Sequence, residues 1–287
     1  MNIPFIQQAS LFRRVTIIGI GMMGGSLAMA IRKYGLAQEI IGVSKQQASL
    51  DKAIEKKAID KGFLEIPEAV RNADLVVLAT PVESIIKLLP TINPHLKRGC
   101  IVTDLGSAKV EIVETTQKTL SNPSFFVGSH PLVGSHQEGI EFAKAELFEN
   151  AVCIMTPTSQ THQMAQKKIE QLWTTLKCQV KYLSAEKHDE ILAAISHLPH
   201  LLAYALIETV PQASLEFATQ GLKDMTRIAA SSPQIWNDIS MANSRNILQS
   251  LDELVKNLSF LRNAIVNDDR KALLYHFTKA KEKRDQL

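Results

Sequence analysis

Three glycines near the start of the chain have the spacing of a phosphate-binding turn. Gly19, Gly21 and Gly24 form a GxGxxG pattern in the segment VTIIGIGMMGGSLA, and Met22 and Met23 lie between the last two. A buried strand precedes the pattern and an amphipathic helix follows it, which is the context that this motif requires. Such glycines let a pyrophosphate approach the backbone at a helix N-terminus. We therefore predict that the turn binds a nicotinamide dinucleotide; a turn without a ligand is the alternative.

The residues after the second predicted strand bear on the choice of cofactor. A carboxylate usually stands about 20 residues beyond the glycine turn and binds the ribose hydroxyls. Here the strand segment IIGV is followed by Ser44 and Lys45 instead. A carboxylate would repel a 2′-phosphate, whereas a hydroxyl and an ammonium group favour one. The pair therefore predicts NADP over NAD, and a Lys45 that merely faces solvent is the alternative.

Further polar side chains follow predicted strands, at the edge where open α/β sheets bind their ligands. They are Thr80, Pro81, Asp104, Ser107, Lys109, His130 and Ser135. Each has a structural alternative, since Ser107 or Asp104 would cap the next helix and His130 before a proline would serve a loop. Several such residues beside a dinucleotide turn nevertheless favour a catalytic cleft.

Two histidines lie in the helical part of the chain, in the segment SHLPH. His197 and His200 are three positions apart and could share a helix face or bind a metal. No third ligand has convincing spacing, so we expect no metal. Pro199 between them is expected to kink or start a helix and so to expose polar groups.

Two cations and a tryptophan follow further along the chain. Lys223 and Arg227 are four positions apart and share one face of a predicted helix. With Lys109 they bring positive charge that no acidic cluster matches, and arginine suits bidentate binding of a carboxylate. A local pair between Asp224 and Arg227 is the alternative. Trp236 is expected to be either a core anchor or an interface residue.

Two kinds of periodicity divide the chain. Apolar runs alternate with helical patterns up to about Leu183, which predicts an α/β fold with a mostly parallel sheet covered on both faces. The predicted strands are Val15–Ile18, Glu39–Val43, Leu75–Ala79, Ile101–Thr103, Phe125–Gly128, Val152–Met155 and Val180–Leu183. Helical patterns then stand alone, at Glu186–Thr209, Leu222–Ala229, Asn243–Val266 and Asp268–Arg284. We predict a Rossmann-type dinucleotide-binding domain over residues 1–184 and an all-helical domain over residues 185–287.

An apolar stripe runs along the predicted helix Asn243–Val266. Its members recur every three or four residues and are Ile247, Leu248, Leu251, Leu254, Val255, Leu258 and Leu261. We expect a homodimer that buries this stripe, and packing within one chain is the alternative.

Composition excludes several classes of protein. The 287 residues carry a net charge of +3, and the basic residues between Lys271 and Arg284 alternate with acids, unlike a nucleic-acid-binding stripe. Basic residues do not precede an apolar run at the N-terminus, as they do in a signal peptide, and we expect no run of about 20 apolar residues. Cys100, Cys153 and Cys178 are widely spaced, which suits a reducing compartment. We therefore expect a cytoplasmic protein without nucleic-acid or membrane partners.

Six segments in order resemble the prephenate and arogenate dehydrogenases of tyrosine biosynthesis. They are GIGMMGGSLA, LATPVES, TDLGSAK, GSHPLVGS, SHLPH and GLKDMTRIA, and they span most of the chain. The resemblance implies oxidative decarboxylation of prephenate or arogenate with hydride transfer to NAD(P), and a helical half that dimerises. Gln220 and His136 depart from the family pattern and leave the choice of substrate open. The alternatives are a dehydrogenase of the β-hydroxyacid or pyrroline-carboxylate reductase type, or a non-catalytic NADP(H) sensor.

The same resemblance implies a role for each candidate residue. His130 would accept the proton of the ring hydroxyl group, and Ser107 would bind that hydroxyl and help orient His130. Arg227 would bind the ring carboxylate that is lost as carbon dioxide. Further substrate contacts are implied for His197, His200, Lys223, Ser135 and Trp236, the last of them at the neighbouring subunit's site.

Overall fold

The structure, a computed structural model, describes residues 10–122, 125–134 and 137–287. Within these residues eight strands form one sheet in the order β3-β2-β1-β4-β5-β6-β7-β8. The strands are β1 Phe12–Ile18, β2 Ala37–Val43, β3 Lys61–Phe63, β4 Leu75–Leu78, β5 Ile101–Asp104, β6 Phe126–Pro131, β7 Val152–Thr156 and β8 Gln179–Tyr182. Neighbouring strands are parallel except for the antiparallel pair β6 and β7. The predicted mostly parallel sheet is confirmed.

Helices connect most of the strands and then continue alone after the sheet. Those between strands are α1 Met22–Lys33, α2 Gln47–Glu55, α3 Ile66–Val70, α4 Val82–Ile92, α5 Val110–Thr119 and α6 Gln163–Thr175. Those after β8 are α7 Ala185–Leu192, α8 Leu198–Thr209, α9 Gln220–Thr226, α10 Pro233–Ala242, α11 Ser244–Val266 and α12 Arg270–Arg284. The predicted fold class, an α/β part followed by a helical part, is confirmed.

The central strands supply two apolar layers, one on each face of the sheet. Ile17 of β1 packs in one layer with Leu27 of α1, and the next residue, Ile18, packs in the other layer with Ile85 of α4. Successive side chains of a strand point to opposite faces, so dense β-branched runs need burial on both sides. The parallel register places the carboxyl ends of β1, β4 and β5 side by side at one edge of the sheet.

Two elements carry little signal in the sequence, and the sequence analysis predicts neither. β3 has only three residues, KGF, and lies at the edge of the sheet, where no second neighbour requires an apolar run. α10 starts at Pro233, and its buried face consists of Trp236, Asp238 and Ile239. Its buried face therefore carries a carboxylate between two apolar side chains.

The predicted helix Glu186–Thr209 is interrupted by a π-helical turn at Ala193–His197. Pro199 lies in the first turn of α8, directly after the π-helical turn, and has no N–H to donate to that turn. His197, the last residue of the widened turn, is only 1% exposed. The expectation that Pro199 exposes the polar groups around it is therefore wrong for His197.

The stretch Ala185–Thr209 is long and apolar enough to cross a membrane by length and composition alone. The expectation that the chain has no such run is wrong to that extent. The buried polar residues of this stretch nevertheless bind other parts of the protein. His188 contacts β6, Asp189 contacts the start of α5, and His197 contacts Asn243 before α11. These contacts are those of a helix packed on protein.

Helix α11 leaves three residues of its apolar stripe exposed among the described residues. Ile247 is buried, but Leu248 is 61% exposed, Val255 is 52% exposed and Leu258 is 51% exposed. Leu251, Leu254 and Leu261 are half-buried, so packing within the described parts of one chain covers the stripe only in part. Contiguous exposed apolar surface of this kind is typical of a surface that a protein partner buries.

Candidate active site

The glycine turn joins β1 to α1. Gly19 has φ +102°, a conformation that side chains rarely adopt. A Cβ on Gly24 would lie 2.0 Å from the carbonyl oxygen of Gly19, whereas a Cβ on Gly21 would meet no atom of the described residues within 4 Å. No side chain among the described residues caps α1, so its first N–H groups are available to an anion. Met22 and Met23, the first residues of α1, are buried and half-buried. The open space at Gly21 fits the pyrophosphate of a dinucleotide.

The predicted cofactor residues after β2 and β4 lie at the same edge of the sheet. Thr80 Oγ1 is buried and has no hydrogen-bond partner among the described residues, and Pro81 precedes α4 as its N-cap. Ser44 Oγ accepts the backbone N–H of Gln46 at 3.2 Å. Lys45 is exposed and forms no ion pair within the described parts of the chain. The Thr80 hydroxyl and the Lys45 ammonium group are therefore available to a ligand.

A buried ion pair organises the loop after β5. Asp104 and Lys109 are both fully buried and bind each other, and Asp104 also accepts the N–H of Gly106 at 2.8 Å. The expectation that Lys109 is an unmatched cation is therefore wrong, and Asp104 does not cap α5. Ser107 is half-buried in this loop and does not cap α5 either, because the helix begins only at Val110.

A chain of hydrogen bonds starts at His130 on β6, which is only 9% exposed. His130 Nδ1 lies 2.8 Å from His188 Nε2, and His188 Nδ1 lies 2.7 Å from Asp189 Oδ1. The Asp189 carboxylate accepts the backbone N–H groups of Lys109 at 2.7 Å and Val110 at 2.9 Å. Asp189 of α7 therefore caps α5 and connects the helical half to His130.

Burial controls the protonation of both histidines in this chain. It lowers the pKa of His130 well below its usual range, and the neighbouring His188, Lys109 and His197 lower it further. Burial also lowers the pKa of His188, against the opposing effect of Asp189. Both rings are therefore neutral near neutral pH, and a neutral imidazole can accept a proton.

Three residues of this network, His188, Asp189 and Asn243, were not among the residues predicted from the sequence. The buried residues of α7 are Ala185, His188, Asp189 and Leu192, which follow the i, i+3, i+4, i+7 spacing of a buried helix face. Two polar residues at core positions of an amphipathic helix are a signal that could have identified this pair. Asn243 lies before α11 and has no comparable pattern around it.

Asn243 holds the ring of His197. Its Nδ2 lies 3.1 Å from His197 Nδ1 and also donates to the carbonyl oxygen of Asp189 at 2.7 Å. Burial lowers the pKa of His197 to about 4. His197 Nε2 is buried and has no hydrogen-bond partner among the described residues. Buried polar atoms normally have a partner, so this nitrogen is a candidate contact for a polar ligand.

Trp236 of α10 is buried against the histidines of its own chain. Its ring stacks on His200 with 3.6 Å between centroids and meets His197 edge-on at 6.1 Å. The contact of this tryptophan with the neighbouring subunit's site, which the resemblance implies, stays a prediction. Ser135 and His136, both expected near the substrate, lie outside the described residues.

The cations of α9 and the turn after it face solvent. Lys223 and Arg227 are both exposed. Asp224 accepts a hydrogen bond from Gln220 Nε2 at 2.8 Å, and no ion pair joins it to Arg227 within the described residues. Burial lowers the pKa of His200, and the charge of Arg227 lowers it further. The positive charge of Arg227 therefore acts on His200 and remains available to a ligand near it.

Both halves of the chain match sequence profiles of one family. The profile described as prephenate dehydrogenase, nucleotide-binding domain, matches residues 27–182, and the prephenate dehydrogenase dimerization domain matches residues 184–279. The chain belongs to the prephenate dehydrogenase family. It is an oxidoreductase that uses a nicotinamide dinucleotide, and its family carries out NAD(P)-dependent oxidative decarboxylation in tyrosine biosynthesis.

Members of the prephenate dehydrogenase family align with nearly the whole chain. A prephenate dehydrogenase from Bacillus subtilis (strain 168) is 33% identical over 95% of this chain and 76% of its own length. A cyclohexadienyl dehydrogenase from Zymomonas mobilis subsp. mobilis is 35% identical over 96% of each chain. The crystal structure of prephenate dehydrogenase from A. aeolicus with hydroxyphenyl propionate and NAD+ matches with a TM-score of 0.89 and 32% identity, over 96% of this chain and 98% of that one. These matches favour this family over the alternative dehydrogenase groups and the non-catalytic sensor.

Proposed function

We propose that this chain oxidises prephenate or arogenate beside His130 and releases the ring carboxylate as carbon dioxide. The observation that carries the proposal is a buried, neutral His130 on a strand of the sheet whose carboxyl edge holds the glycine turn. A dinucleotide bound at that turn would accept a hydride from the ring carbon that bears the hydroxyl group. His130 would accept the hydroxyl proton, and the bond to the carboxylate would break as its electron pair enters the aromatic ring.

The other proposed substrate residues would bind the two ends of the substrate, the ring and the side chain. Ser107, in the loop after β5, would hydrogen-bond the ring hydroxyl and help orient His130. Arg227, which is exposed, would bind the ring carboxylate with both arms of its guanidinium group. His197 would meet the side chain of the substrate through Nε2, which has no hydrogen-bond partner among the described residues, with Lys223 nearby. The remaining proposed substrate contacts are His200, Ser135 and Trp236.

NADP is the proposed cofactor within the nicotinamide dinucleotides. The exposed ammonium group of Lys45 and the hydroxyl of Ser44 follow β2, where a carboxylate would disfavour a 2′-phosphate. The hydroxyl of Thr80, which has no hydrogen-bond partner among the described residues, supports a ligand at the same edge. The proposed cofactor residues are Gly19, Gly21, Met22, Met23, Gly24, Ser44, Lys45, Thr80 and Pro81.

A homodimer through the helical half is proposed as the working form. The profile that matches this half describes a dimerization domain, and the α11 stripe at Leu248, Val255 and Leu258 is more than half exposed in one chain. We also propose a cytoplasmic location, which the three free cysteines support.

The proposal is tested with the variant His130→Asn in a spectrophotometric assay of reduced cofactor. Prephenate and arogenate are each supplied with NAD+ and with NADP+. A general base contributes about 10²- to 10⁴-fold to a rate, so kcat should fall by at least about 100-fold while cofactor affinity stays unchanged. His95→Asn, between α4 and β5 at the opposite edge of the sheet, is the matched control. Normal turnover by His130→Asn, or no reduced cofactor from either substrate with the wild type, would contradict the proposal.

A further inference from the structure

We infer that His188, held by Asp189, is a positioning residue that keeps His130 in the tautomer able to act as a base. The inference rests on the proposed role of His130. It assigns a function to two residues of α7 that lie on the buried face of the helix, among apolar positions.

Asp189 is fixed in place by the first turn of α5. Its Oδ1 accepts the N–H of Lys109 at 2.7 Å, its Oδ2 accepts the N–H of Val110 at 2.9 Å, and the residue is 1% exposed. Both oxygens are therefore committed as acceptors. The positive end of the α5 dipole also favours the ionised carboxylate.

This carboxylate dictates where His188 carries its hydrogen. His188 Nδ1 lies 2.7 Å from Asp189 Oδ1, and because that oxygen only accepts, Nδ1 must donate. A neutral imidazole has one N–H group, so His188 Nε2 is left as an acceptor. Burial lowers the pKa of His188 and so keeps the ring in this neutral form.

His188 in turn dictates where His130 carries its hydrogen. Its Nδ1 lies 2.8 Å from the acceptor Nε2 of His188 and must therefore donate. The lone pair of neutral His130 is then on Nε2, the nitrogen that remains to accept a substrate proton. After proton uptake, the new positive charge faces a ring backed by the Asp189 carboxylate, which stabilises it.

Capping of α5 alone does not account for the histidine at position 188. Asp189 receives both backbone N–H groups without any help from His188. His188 is 0% exposed, and its two nitrogens are used by Asp189 and His130. A buried polar ring is unfavourable unless both nitrogens are satisfied, so its position is explained by the bridge that it forms.

The test compares His188→Leu with His188→Gln in the full chain. Leucine removes the acceptor for His130 Nδ1–H, whereas the amide oxygen of glutamine can replace Nε2. Loss of a residue that orients a functional histidine typically costs about 10- to 100-fold in activity. We expect His188→Leu to lower kcat by about 100-fold, with KM and cofactor affinity changed by less than about threefold. His188→Gln should recover at least about tenfold of that loss.

Nitrogen-15 NMR of histidine-labelled protein reads the tautomers independently of activity. The Nδ1–H form is expected for both His130 and His188 in the wild type. Their signals are assigned by their loss in His130→Asn and His188→Leu. In His188→Leu, His130 should no longer be held in the Nδ1–H form.

Several outcomes decide the inference. An Nε2–H tautomer at either ring of the wild type, or a normal kcat in His188→Leu, would overturn it. If His188→Leu does not fold, the wild-type spectrum and the activity of His188→Gln decide. Normal turnover by His130→Asn would refute the proposed function itself, whereas an inactive His130→Asn beside a fully active His188→Leu would refute only the positioning role.

Discussion

Gly21 and Gly24 belong to the same turn, yet one added methyl group should affect cofactor binding at the first position and folding at the second. A Cβ on Gly24 would lie 2.0 Å from the carbonyl oxygen of Gly19, about 1.4 Å inside the 3.4 Å of ordinary contact. A Cβ on Gly21 would meet no atom within 4 Å in the part of the chain that the structure describes, and the φ of −92° at this glycine is accessible to alanine. We therefore expect Gly24→Ala to damage the fold and Gly21→Ala to damage only cofactor binding.

The magnitudes follow from these contacts. Forcing a methyl group into a packed site costs about 1–3 kcal/mol, and Gly24→Ala should reach the upper end because its neighbour is backbone. Gly21→Ala should change the free energy of unfolding by less than about 1 kcal/mol, since alanine also restricts the unfolded chain. If the methyl group displaces the pyrophosphate and one charge-assisted hydrogen bond is lost, binding weakens by about 1.5–3 kcal/mol, or roughly 10- to 150-fold.

Two measurements separate the effects. Thermal unfolding without cofactor compares the stability of the two variants with that of the wild type. Isothermal titration with NAD+ and with NADP+ gives the dissociation constants. Wild-type affinity in Gly21→Ala would refute the proposed approach of the pyrophosphate to this glycine, and wild-type stability in Gly24→Ala would refute the steric reasoning.

Two further predictions concern charge. Lys45→Glu should lower kcat/KM for NADP by about 10-fold or more, because the carboxylate repels a 2′-phosphate, and should leave kcat/KM for NAD within about threefold. An unchanged ratio of kcat/KM for NADP to kcat/KM for NAD, measured in the assay of reduced cofactor, would contradict the cofactor proposal. Burial lowers the pKa of His197 from 6.5 to about 4, so the unfolded chain binds the proton first and stability is lost as the pH falls from about 6.5 towards 4. By pH 5 this group should cost about 2 kcal/mol, measured by urea unfolding at pH 7 and pH 5 and a fixed protein concentration. If the wild type and His197→Gln lose the same free energy of unfolding between pH 7 and pH 5, the predicted contribution of His197 is wrong.

Much of the fold follows from patterns that neighbouring residues carry. The glycine turn, the dense β-branched strands and the long helices each depend on spacings of a few residues, so the sequence analysis finds them. The strand β3 is missed because three residues are too few to show a period. The helix α10 is missed too, and its buried face carries Asp238 beside its apolar residues. His130 could be proposed from its motif because it stands in GSHP, next to a strand that ends at the ligand-binding edge.

The sequence by itself determined the dinucleotide turn, the α/β class, the family resemblance and His130 as the candidate base. Only the tertiary structure decided which polar groups are partners. His130 and His188 are 58 positions apart, and His197 and Asn243 are 46 positions apart. The first pairing follows from the docking of α7 on the sheet and on α5, and the second from the packing of α11 on the π-helical turn. No local period encodes either contact. Burial, a property of the packed chain, then keeps these histidines neutral.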